Sequence, residues 1–321
     1  MKKITAIAHP NFALIKYWGK SNFYENIPAM GSISVVVDAM KSETTVSFPP
    51  ELKKDTWVLN KVEQPSLGHL EPSLQYLRSM SPMRQSCLIE STNNFPTAAG
   101  LASSASGTAS FVKAMSQCLE IQPKRKQMIK ATMLGSGSAP RSLFSGFVHL
   151  DFFEGALDCM TILNPEEWPL KVIVCLTSLE RKSVSSRDGM EISRKTSSFY
   201  KDWVNNHYQD IELALSAIAS RNLKTLGTVA QENCLKMHEV MKTSQPSIDY
   251  WNMTTHSVVK SIETMQDDGL DIFYTIDAGP QVKIICKSDL TEEVCSAMKK
   301  ISGIKSIIEC GLGQGARLIG G

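Results

Sequence analysis

Residues 96–107 read Pro-Thr-Ala-Ala-Gly-Leu-Ala-Ser-Ser-Ala-Ser-Gly, a run of small side chains between a predicted strand, Cys87–Ser91, and a predicted helix, Ser104–Glu120. Small residues let a ligand approach the backbone, and a helix N-terminus offers free N–H groups and a positive dipole end to an anion. The hydroxyls of Ser103, Ser104 and Ser106 add donors. This stretch predicts a phosphate-binding loop in an α/β fold. The alternative is a helix that needs small residues for close packing, with the serines as caps.

The chain around this loop has 321 residues, of which 42% are hydrophobic and 21% are charged. This composition is typical of a soluble globular protein, and it excludes a collagen, a disordered chain and a bundle of membrane helices. The 34 Lys and Arg exceed the 32 Asp and Glu by only two, so the overall charge favours neither a nucleic acid nor a membrane partner. Any phosphate must therefore be bound by a local group of residues.

The eight cysteines and six histidines show no spacing typical of a metal site. In a chain long enough to bury a large core, we expect the cysteines to be free thiols in a reducing compartment, which indicates a cytoplasmic protein. The apolar run Ile4–Ala8 is interpreted as an opening β-strand and not as a signal peptide, because His9 and Pro10 interrupt it.

Patterns of apolar residues divide the chain into two predicted domains, 1–182 and 183–321, with a polar, basic stretch at the boundary. Short strands dominate the first domain, whereas the second begins with three helices. The predicted strands are Ile33–Val37, Thr44–Phe48, Trp57–Asn60, Cys87–Ser91, Leu143–Asp151, Leu170–Thr177, Ile272–Ile276, Val282–Cys286 and Ile304–Glu309. The predicted helices are Ser104–Glu120, Lys124–Leu134, Ile192–Asn205, Ile211–Ser220, Leu223–Val240 and Glu292–Ile301.

A second loop of small residues, Gly135–Ser142, contains one guanidinium group, that of Arg141. Arginine binds a carboxylate or a phosphate through two parallel hydrogen bonds, so this loop predicts a further contact with an anion. The alternative is a surface turn with a solvated arginine. Because two such loops occur about 40 residues apart, together they favour an anionic ligand.

Three further segments carry polar and ionisable side chains at turns. Lys16–Lys20 holds two ammonium groups and a phenol, and Leu14 stands where a Walker A loop needs glycine, so that motif is excluded. Val184–Met190 offers hydroxyls and a guanidinium that either bind an anion or cap the following helix. Asp277 follows a predicted strand and precedes Ala-Gly-Pro, so it is either a turn-former or a general base on a rigid strand.

In this order, the segments resemble the diphosphomevalonate decarboxylase family, within the superfamily of galactokinase, homoserine kinase, mevalonate kinase and phosphomevalonate kinase. The loop at 96–107 resembles the superfamily as a whole. Lys-Tyr-Trp-Gly-Lys at 16–20, Gly-Ser-Gly-Ser-x-x-Arg-Ser at 135–142 and Asp-Ala-Gly-Pro at 277–280 resemble the decarboxylase branch. The resemblance implies a two-domain small-molecule-kinase-like fold, α/β and α+β, with the active site in the cleft between the domains.

The resemblance also implies ATP-dependent decarboxylation of mevalonate 5-diphosphate to isopentenyl diphosphate, by phosphorylation of the 3-hydroxyl and loss of phosphate and CO2. It implies ATP as co-substrate, Mg²⁺ near Ser104, and a homodimer. In the implied roles, Asp277 orients or deprotonates the 3-hydroxyl, Arg141 holds the carboxylate, and Lys16 lies near the reacting oxygens. The implied substrate-binding residues are Tyr17, Lys20, Ser136, Ser138, Arg141, Ser186, Arg187 and Met190, and the implied ATP-binding residues are Pro96, Gly100, Leu101, Ala102, Ser103, Ser104 and Ser106.

The sequence departs from the family pattern at two positions. Gly31 removes one hydroxyl from a serine-rich stretch, and Pro140 takes the place of a cysteine and removes one N–H donor. Three other functions stay open: a decarboxylase of mevalonate 5-phosphate, a mevalonate 3-kinase, and a non-catalytic nucleotide- or metabolite-binding module. The presence of Asp277 argues against the binding module, and Ser186 with Arg187 favours the diphosphate.

Overall fold

A computed structural model describes residues 3–97, 100–180 and 182–320, which form 16 strands and eight α-helices. The strands are β1 Lys3–Ala8, β2 Asn11–Ile15, β3 Lys20–Asn22, β4 Ile27–Pro28, β5 Ser32–Val36, β6 Ser42–Ser47, β7 Thr56–Leu59, β8 Val62–Glu63, β9 Leu88–Asn93, β10 Phe147–Phe153, β11 Ala156–Leu163, β12 Leu170–Leu176, β13 Ile272–Ile276, β14 Val282–Lys287, β15 Ser306–Gly311 and β16 Arg317–Ile319. The helices are α1 Glu71–Ser79, α2 Ser103–Cys118, α3 Arg125–Gly135, α4 Ser186–Thr196, α5 Tyr200–Ala219, α6 Leu223–Lys242, α7 Met253–Asp267 and α8 Thr291–Lys299. Within these ranges no helix has the length and apolar character to cross a bilayer.

The first half of the chain forms two large sheets and the two-stranded sheet β3-β4. One has the strand order β16-β1-β6-β9-β7-β8, in which the chain's last strand pairs with its first, and the other has the order β11-β10-β5-β2. Helix α2 lies on β1 and β6, and its buried Phe111 and Met115 pack with Val46 and Ile89 of the sheet. This packing fixes where α2 begins, and therefore where the small-residue loop lies.

The second half forms an antiparallel sheet, β13-β14-β12-β15, with helices packed against it. Strand β12 precedes the predicted boundary at 182/183 and pairs with β14 and β15, which follow it. The boundary itself stays a prediction. A hydrophobic cluster joins the two halves: Phe12 and Phe147 from the first share it with Ile211 and Phe273 from the second.

Most of the predicted strands and helices are present with shifted ends, and three predictions were wrong. The predicted helix Ile192–Asn205 is interrupted, because Ser197 is extended and ends α4 at Thr196, and α5 begins only at Tyr200. The predicted break between Asn205 and Ile211 is absent, because α5 runs without interruption from Tyr200 to Ala219. The two buried polar residues of that stretch have partners within the protein: His207 Nε2 lies 2.9 Å from the Gly31 carbonyl, and Asp210 pairs with neighbours on α6.

The third wrong prediction is the strand start at Leu143, since residues 139–143 form a 3-10 helix and β10 begins at Phe147. Helix α7 was missed, although it buries Val258, Ile262 and Met265 at helical spacing. Its N-cap, Asn252, accepts a hydrogen bond from the Thr255 N–H, which is a start signal that the sequence carried.

Candidate active site

A cavity of about 600 Å³ is lined by turns from both halves of the chain. Strands β2 and β13 lead into it side by side, because the Thr275 hydroxyl donates a hydrogen bond to the Ala13 carbonyl over 2.9 Å. Both strands are wholly buried, so the residues that follow them are held rigidly. The sequence positions just after the two strands, Lys16 and Asp277, are therefore brought into contact although they are far apart in the chain.

The reaction end of the cavity is lined by Lys16 and Asp277, and Lys283 lies fully buried beside Asp277 without lining the cavity itself. The Lys16 ammonium lies 2.6 Å from Asp277 Oδ1, and the Lys283 ammonium lies 3.2 Å from Asp277 Oδ2. The two lysine side chains are only 2% and 0% exposed. Burial by itself would raise the pKa of Asp277, but the ammonium groups of Lys16 and Lys283 together hold that pKa well below its usual range. The carboxylate is therefore ionised at neutral pH.

Arg141 forms a second fixed charge in the cavity wall. Its Nε donates to Asn11 Oδ1 over 2.9 Å and its Nη1 donates to the Ser32 hydroxyl over 2.6 Å. The guanidinium lies 5.7 Å from the centre of the Tyr17 ring. Burial lowers the pKa of Arg141, yet a guanidinium stays protonated in proteins, so this is a permanent cation held by neutral partners.

A row of hydroxyls crosses the cavity from the start of α2 to the turn after α3. The Ser104 and Ser136 hydroxyls are 3.3 Å apart, and those of Ser136 and Ser138 are 3.4 Å apart. Ala102 takes a left-handed conformation, with φ of 54°, as the N-cap of α2, which turns the helix N-terminus toward the cavity loop. The positive dipole end of a helix and a row of hydroxyls together suit a polyanionic ligand.

The tail end of the cavity consists of Lys20, Lys182 and Arg187. Lys20 donates to the Asn26 amide oxygen over 2.6 Å, Lys182 donates to a backbone carbonyl over 3.1 Å, and Arg187 stacks on the Phe23 ring at 4.5 Å. In the described ranges none of the three has a carboxylate within 4.0 Å. Burial lowers the pKa of Lys20 to about 8, helped by the charge of Arg187, and burial lowers the pKa of Lys182 to about 8.

A side lobe of the cavity is aromatic and uncharged. Trp57 and His69 meet edge to face with ring centres 5.4 Å apart, and the Trp57 indole N–H points to the Ser91 hydroxyl at 3.4 Å. Burial lowers the pKa of His69 to about 4, so the imidazole is neutral. Asn93 adds an amide to this wall. The lobe is suited to a flat, neutral heteroaromatic ring with polar edges.

The structure brings most of the predicted site residues together in one cavity. Ser106 does not line it, because its buried hydroxyl lies 2.7 Å from that of Ser42, and Pro96 is outside the set of lining residues in the described chain. The predicted loop also includes residues 98 and 99, which lie outside the described residues. The predicted residues that line the cavity are Lys16, Tyr17, Lys20, Gly100, Leu101, Ala102, Ser103, Ser104, Ser136, Ser138, Arg141, Ser186, Arg187, Met190 and Asp277.

Sequence reasoning missed Lys182, Lys283 and the side lobe. Lys283 carried a detectable signal, since it is a charged residue inside the otherwise apolar strand at 282–286. Lys182 lay in the stretch that was interpreted as a domain boundary. The aromatic lobe had no local signal, because Trp57, His69 and Asn93 come from separate strands and turns.

The donor set fits a magnesium ion only if the ion arrives with phosphate ligands. Among the residues that the structure describes, no cluster of three His, Cys, Asp or Glu side chains could hold a metal. The hydroxyls of Ser104 and Ser136 are hard oxygen donors of the type that Mg²⁺ accepts beside phosphates and water.

Comparison with known proteins agrees with this geometry. Residues 8–161 match the model of the diphosphomevalonate decarboxylase-like N-terminal domain, and residues 172–315 match that of the mevalonate 5-diphosphate decarboxylase C-terminal domain. The chain belongs to the diphosphomevalonate decarboxylase family. The resemblance inferred from the sequence is confirmed, and so is the enzyme class.

Relatives match over nearly the whole chain. The diphosphomevalonate decarboxylase of Candida albicans is 30% identical, over 98% of this chain and 97% of its own length. The mevalonate diphosphate decarboxylase structure from Staphylococcus aureus is 32% identical with a TM-score of 0.92, covering 99% of this chain and 98% of its own. MDDEF, solved in complex with MVAPP, AMPPCP and magnesium, is 31% identical with a TM-score of 0.91 and the same coverage of both chains. The mixed α/β fold with its two-domain family architecture is thereby confirmed.

The two departures from the decarboxylase pattern have local explanations. At Gly31, an added Cβ would lie 2.3 Å from the Asp151 carboxylate, so this carboxylate occupies the space that a serine side chain at position 31 would need. The neighbouring Ser32 hydroxyl still accepts from Arg141. Pro140 lies in the first turn of the 3-10 helix 139–143, where a backbone N–H has no helical partner, so its missing donor costs little.

Proposed function

We propose that this chain carries out ATP-dependent decarboxylation of mevalonate 5-diphosphate in the cavity described above, with its residues in the following roles. The observation that carries the proposal is one juxtaposition. A buried, ionised carboxylate on two ammonium groups shares the cavity with the guanidinium of Arg141 and with the hydroxyl row at the start of α2. A carboxylate-bearing alcohol and a polyphosphate would meet there.

In the first step Asp277 accepts the proton of the 3-hydroxyl as the oxygen forms a bond to the γ-phosphorus of ATP and the bond to the ADP oxygen breaks. Phosphoryl transfer has a loose transition state, in which the attacking oxygen gains positive charge late. A weakly basic carboxylate therefore suffices, since it accepts the proton of the 3-hydroxyl only as the bond to phosphorus forms and need not remove it beforehand. Lys16, which donates a hydrogen bond to Asp277 Oδ1, would lie beside the reacting oxygens and offset their negative charge.

In the second step the C3–O bond breaks and phosphate leaves with the electron pair. The electrons of the bond between C2 and the carboxyl carbon form the C2–C3 double bond, and CO2 departs. Arg141 holds the carboxylate so that this bond is aligned with the developing empty orbital, with the Ser136 hydroxyl assisting, and such positioning lowers the barrier by several kcal/mol. Asp277 stabilises the positive charge at C3.

The tail end would bind the 5-diphosphate. Lys20 and Arg187 supply charges that have no carboxylate within 4.0 Å in the described part of the chain, and the start of α4 adds the Ser186 hydroxyl beside Lys182. Tyr17 and Ser138 face the same space from the other wall. Three cations suit two phosphate groups better than one, which favours the diphosphate over the monophosphate.

The nucleotide would lie with its phosphates along the loop from Gly100 to Ser104 and its base in the aromatic side lobe. Mg²⁺ bound with the ATP phosphates would neutralise charge on the transferring phosphoryl group, and Ser104 and Ser136 are the residues placed to hold it. Ser103, in the first turn of α2, would contact the phosphates through its N–H.

The experiment incubates the purified protein with ATP, Mg²⁺ and mevalonate that carries zero, one or two 5-phosphates. We expect equal release of ADP, inorganic phosphate and CO2, with the diphosphate strongly preferred. ADP without CO2 would identify a 3-kinase, and preference for the monophosphate would identify the sister decarboxylase. ATP binding without any turnover would identify a binding module, and each of these three results contradicts the proposal.

We also infer that the chain folds into two domains, 1–182 and 183–321. We infer further that it forms a homodimer and is located in the cytoplasm. The family resemblance supports the dimer, and exposed apolar side chains such as Tyr208 and Leu213 offer contact area. Eight free cysteines support a reducing compartment. A solution mass equal to one chain at micromolar concentration would contradict the dimer, and limited proteolysis that spares residues 179–186 would contradict the boundary.

A further inference from the structure

Lys283 is a buried charge for which the roles above give no account. It lies on β14 opposite Thr275 of β13, two residues before Asp277. Its ammonium lies 3.2 Å from Asp277 Oδ2 and 3.1 Å from the Gly100 carbonyl, to which it donates a hydrogen bond. The Phe12 ring centre lies 5.0 Å away. One group thus touches the catalytic carboxylate and the phosphate-binding loop at once.

We propose that Lys283 is a positioning residue for this reaction: it holds the Asp277 carboxylate in orientation and ties it to the phosphate-binding loop at Gly100. The inference rests on the proposed function for the identity of the reaction. It concerns how the carboxylate and the ATP site are kept at a fixed separation, which in-line transfer to the 3-hydroxyl requires.

The cost of this charge supports a functional reason for it. Lys283 is fully buried in a strand whose other inner residues, Val282, Ile284 and Ile285, are apolar. Removing a buried ion pair from water costs free energy that offsets the attraction between the charges, so such a pair adds little to stability. An apolar side chain would fill the same space without this cost. The lysine is instead paired on two sides by oxygen atoms from different segments of the chain.

The two lysines at the reaction end hold different oxygens of one carboxylate. Lys16 hydrogen-bonds to Oδ1, while Oδ2 has an ion contact with Lys283 and no hydrogen bond of good geometry among the described residues. Opposed ammonium groups resist rotation of the carboxylate and keep it ionised. The other titratable groups whose charges act on this network from the elements packed around it are Lys182, Arg141, Cys234 and His238.

A close approach of the two segments makes the coupling specific. Gly100 has a φ of +79°, and a Cβ added there would lie 3.1 Å from the Gly279 Cα. The phosphate-binding loop therefore touches the turn that follows Asp277. A shift of the loop moves the Lys283 contact, and a shift of Lys283 moves both the loop and the carboxylate.

The experiment compares Lys283→Met and Lys283→Arg with Lys287→Met, which removes an exposed lysine from the end of the same strand. For each variant we measure the pH dependence of kcat from pH 4 to 8, KM for both substrates, and ATP affinity by direct titration. Thermal unfolding shows whether each variant is folded. If Lys283→Met is unfolded, Lys283→Gln takes its place, since it also removes the charge.

In the Met variant Asp277 keeps its buried site and loses one of two cations, so its pKa should rise, and kcat should fall toward pH 4, where the wild type keeps its activity. We expect kcat at neutral pH to fall by up to about 100-fold, the loss that a misplacement of about 1 Å can cause. ATP affinity should fall, while KM for mevalonate 5-diphosphate stays near that of the wild type. The Arg variant should keep the acid limb, and Lys287→Met should match the wild type throughout.

A charge-removing variant of Lys283 with the wild-type acid limb and unchanged ATP affinity would overturn the inference, as would equal effects in Lys287→Met. Failure of the proposed function is seen separately, as a wild-type protein that releases no CO2 from any substrate. In that case the ATP titration still decides the inference: unchanged affinity in the variant overturns the tie to Gly100, and weakened affinity supports it.

Discussion

The reaction end and the tail end of the cavity hold similar numbers of cations in opposite ways. At the reaction end the ammonium groups are buried and share one carboxylate, within 3.2 Å. At the tail end the cations rest on an amide, a carbonyl and an aromatic ring, with no carboxylate within 4.0 Å among the described residues. Charges that are paired within the protein fix the orientation of a catalytic group, whereas cations without a carboxylate partner are available to bind an anionic ligand.

This contrast predicts different failures at the two ends. Loss of a group at the reaction end should lower kcat, because geometry in the transition state is lost. Loss of a cation at the tail end should raise KM and change the pH dependence of binding, because affinity for phosphate is lost.

Asp277→Asn should show the largest effect and abolish turnover, because the amide cannot accept the proton of the 3-hydroxyl. ATP affinity, measured by titration, should stay within about threefold of the wild-type value, since the asparagine side chain has nearly the same volume as the aspartate side chain that it replaces. Asp271→Asn, which changes an exposed carboxylate near the start of β13, is the control and should leave kcat unchanged. Near-normal turnover in Asp277→Asn would remove the distinction between the two ends.

Arg141→Lys should lower kcat by about 100-fold or more, since an ammonium cannot form two parallel hydrogen bonds to a carboxylate. The partners Asn11 and Ser32 would also lose donors. Arg125→Lys, at a half-exposed arginine that pairs with Asp158, is the matched control. The measurement is CO2 release against ADP release, and a loss confined to KM would show that Arg141 belongs with the tail end.

The pH dependence of kcat/KM should report the tail end. Lys20 and Lys182 have pKa values lowered to about 8, so in the free enzyme both lose their charge as the pH rises through 8 and phosphate binding weakens. We expect kcat/KM to fall above pH 8 with a limiting slope of about 2, and with a slope of about 1 in Lys20→Arg, which stays charged.

The control for the tail end is Lys130→Arg, an exposed lysine paired with Glu25, which should keep the steeper slope. A flat profile up to pH 9.5 would mean that phosphate affinity does not depend on these lysines.

Gly107→Ala should give the smallest effect, with opposite signs for stability and binding. Gly107 lies inside α2 and lines the cavity, and an added Cβ would meet no atom within 4 Å. The alanine should raise the free energy of unfolding by about 0.5–1 kcal/mol, since glycine weakens a helix interior. ATP affinity should fall several-fold, because the methyl group enters the space for phosphate. Denaturant unfolding and ATP titration measure the two, and stabilisation without loss of affinity would place the nucleotide elsewhere.

Much of the fold could be predicted from local patterns, and the exceptions share one cause. Strands such as β12 and β13 are continuous apolar runs, and α2 follows a loop whose small residues mark its start. The failed break in α5 came from polar residues that are buried and paired with distant groups, such as His207 with the Gly31 carbonyl. A single sequence does not show such long-range pairs, so a polar stretch is interpreted as solvent-exposed.

The sequence by itself determined the kinds of chemistry present: the two small-residue loops, the Arg141 guanidinium and the Asp277 carboxylate, each recognisable from residue type and local spacing. Only the tertiary structure decided which of these groups meet and what charge they carry. Lys16 and Asp277 are 2.6 Å apart because β2 and β13 lie side by side, and Lys283 joins them through strand register. The pKa of a group depends on burial and on neighbours in space, and both are set by packing between distant segments.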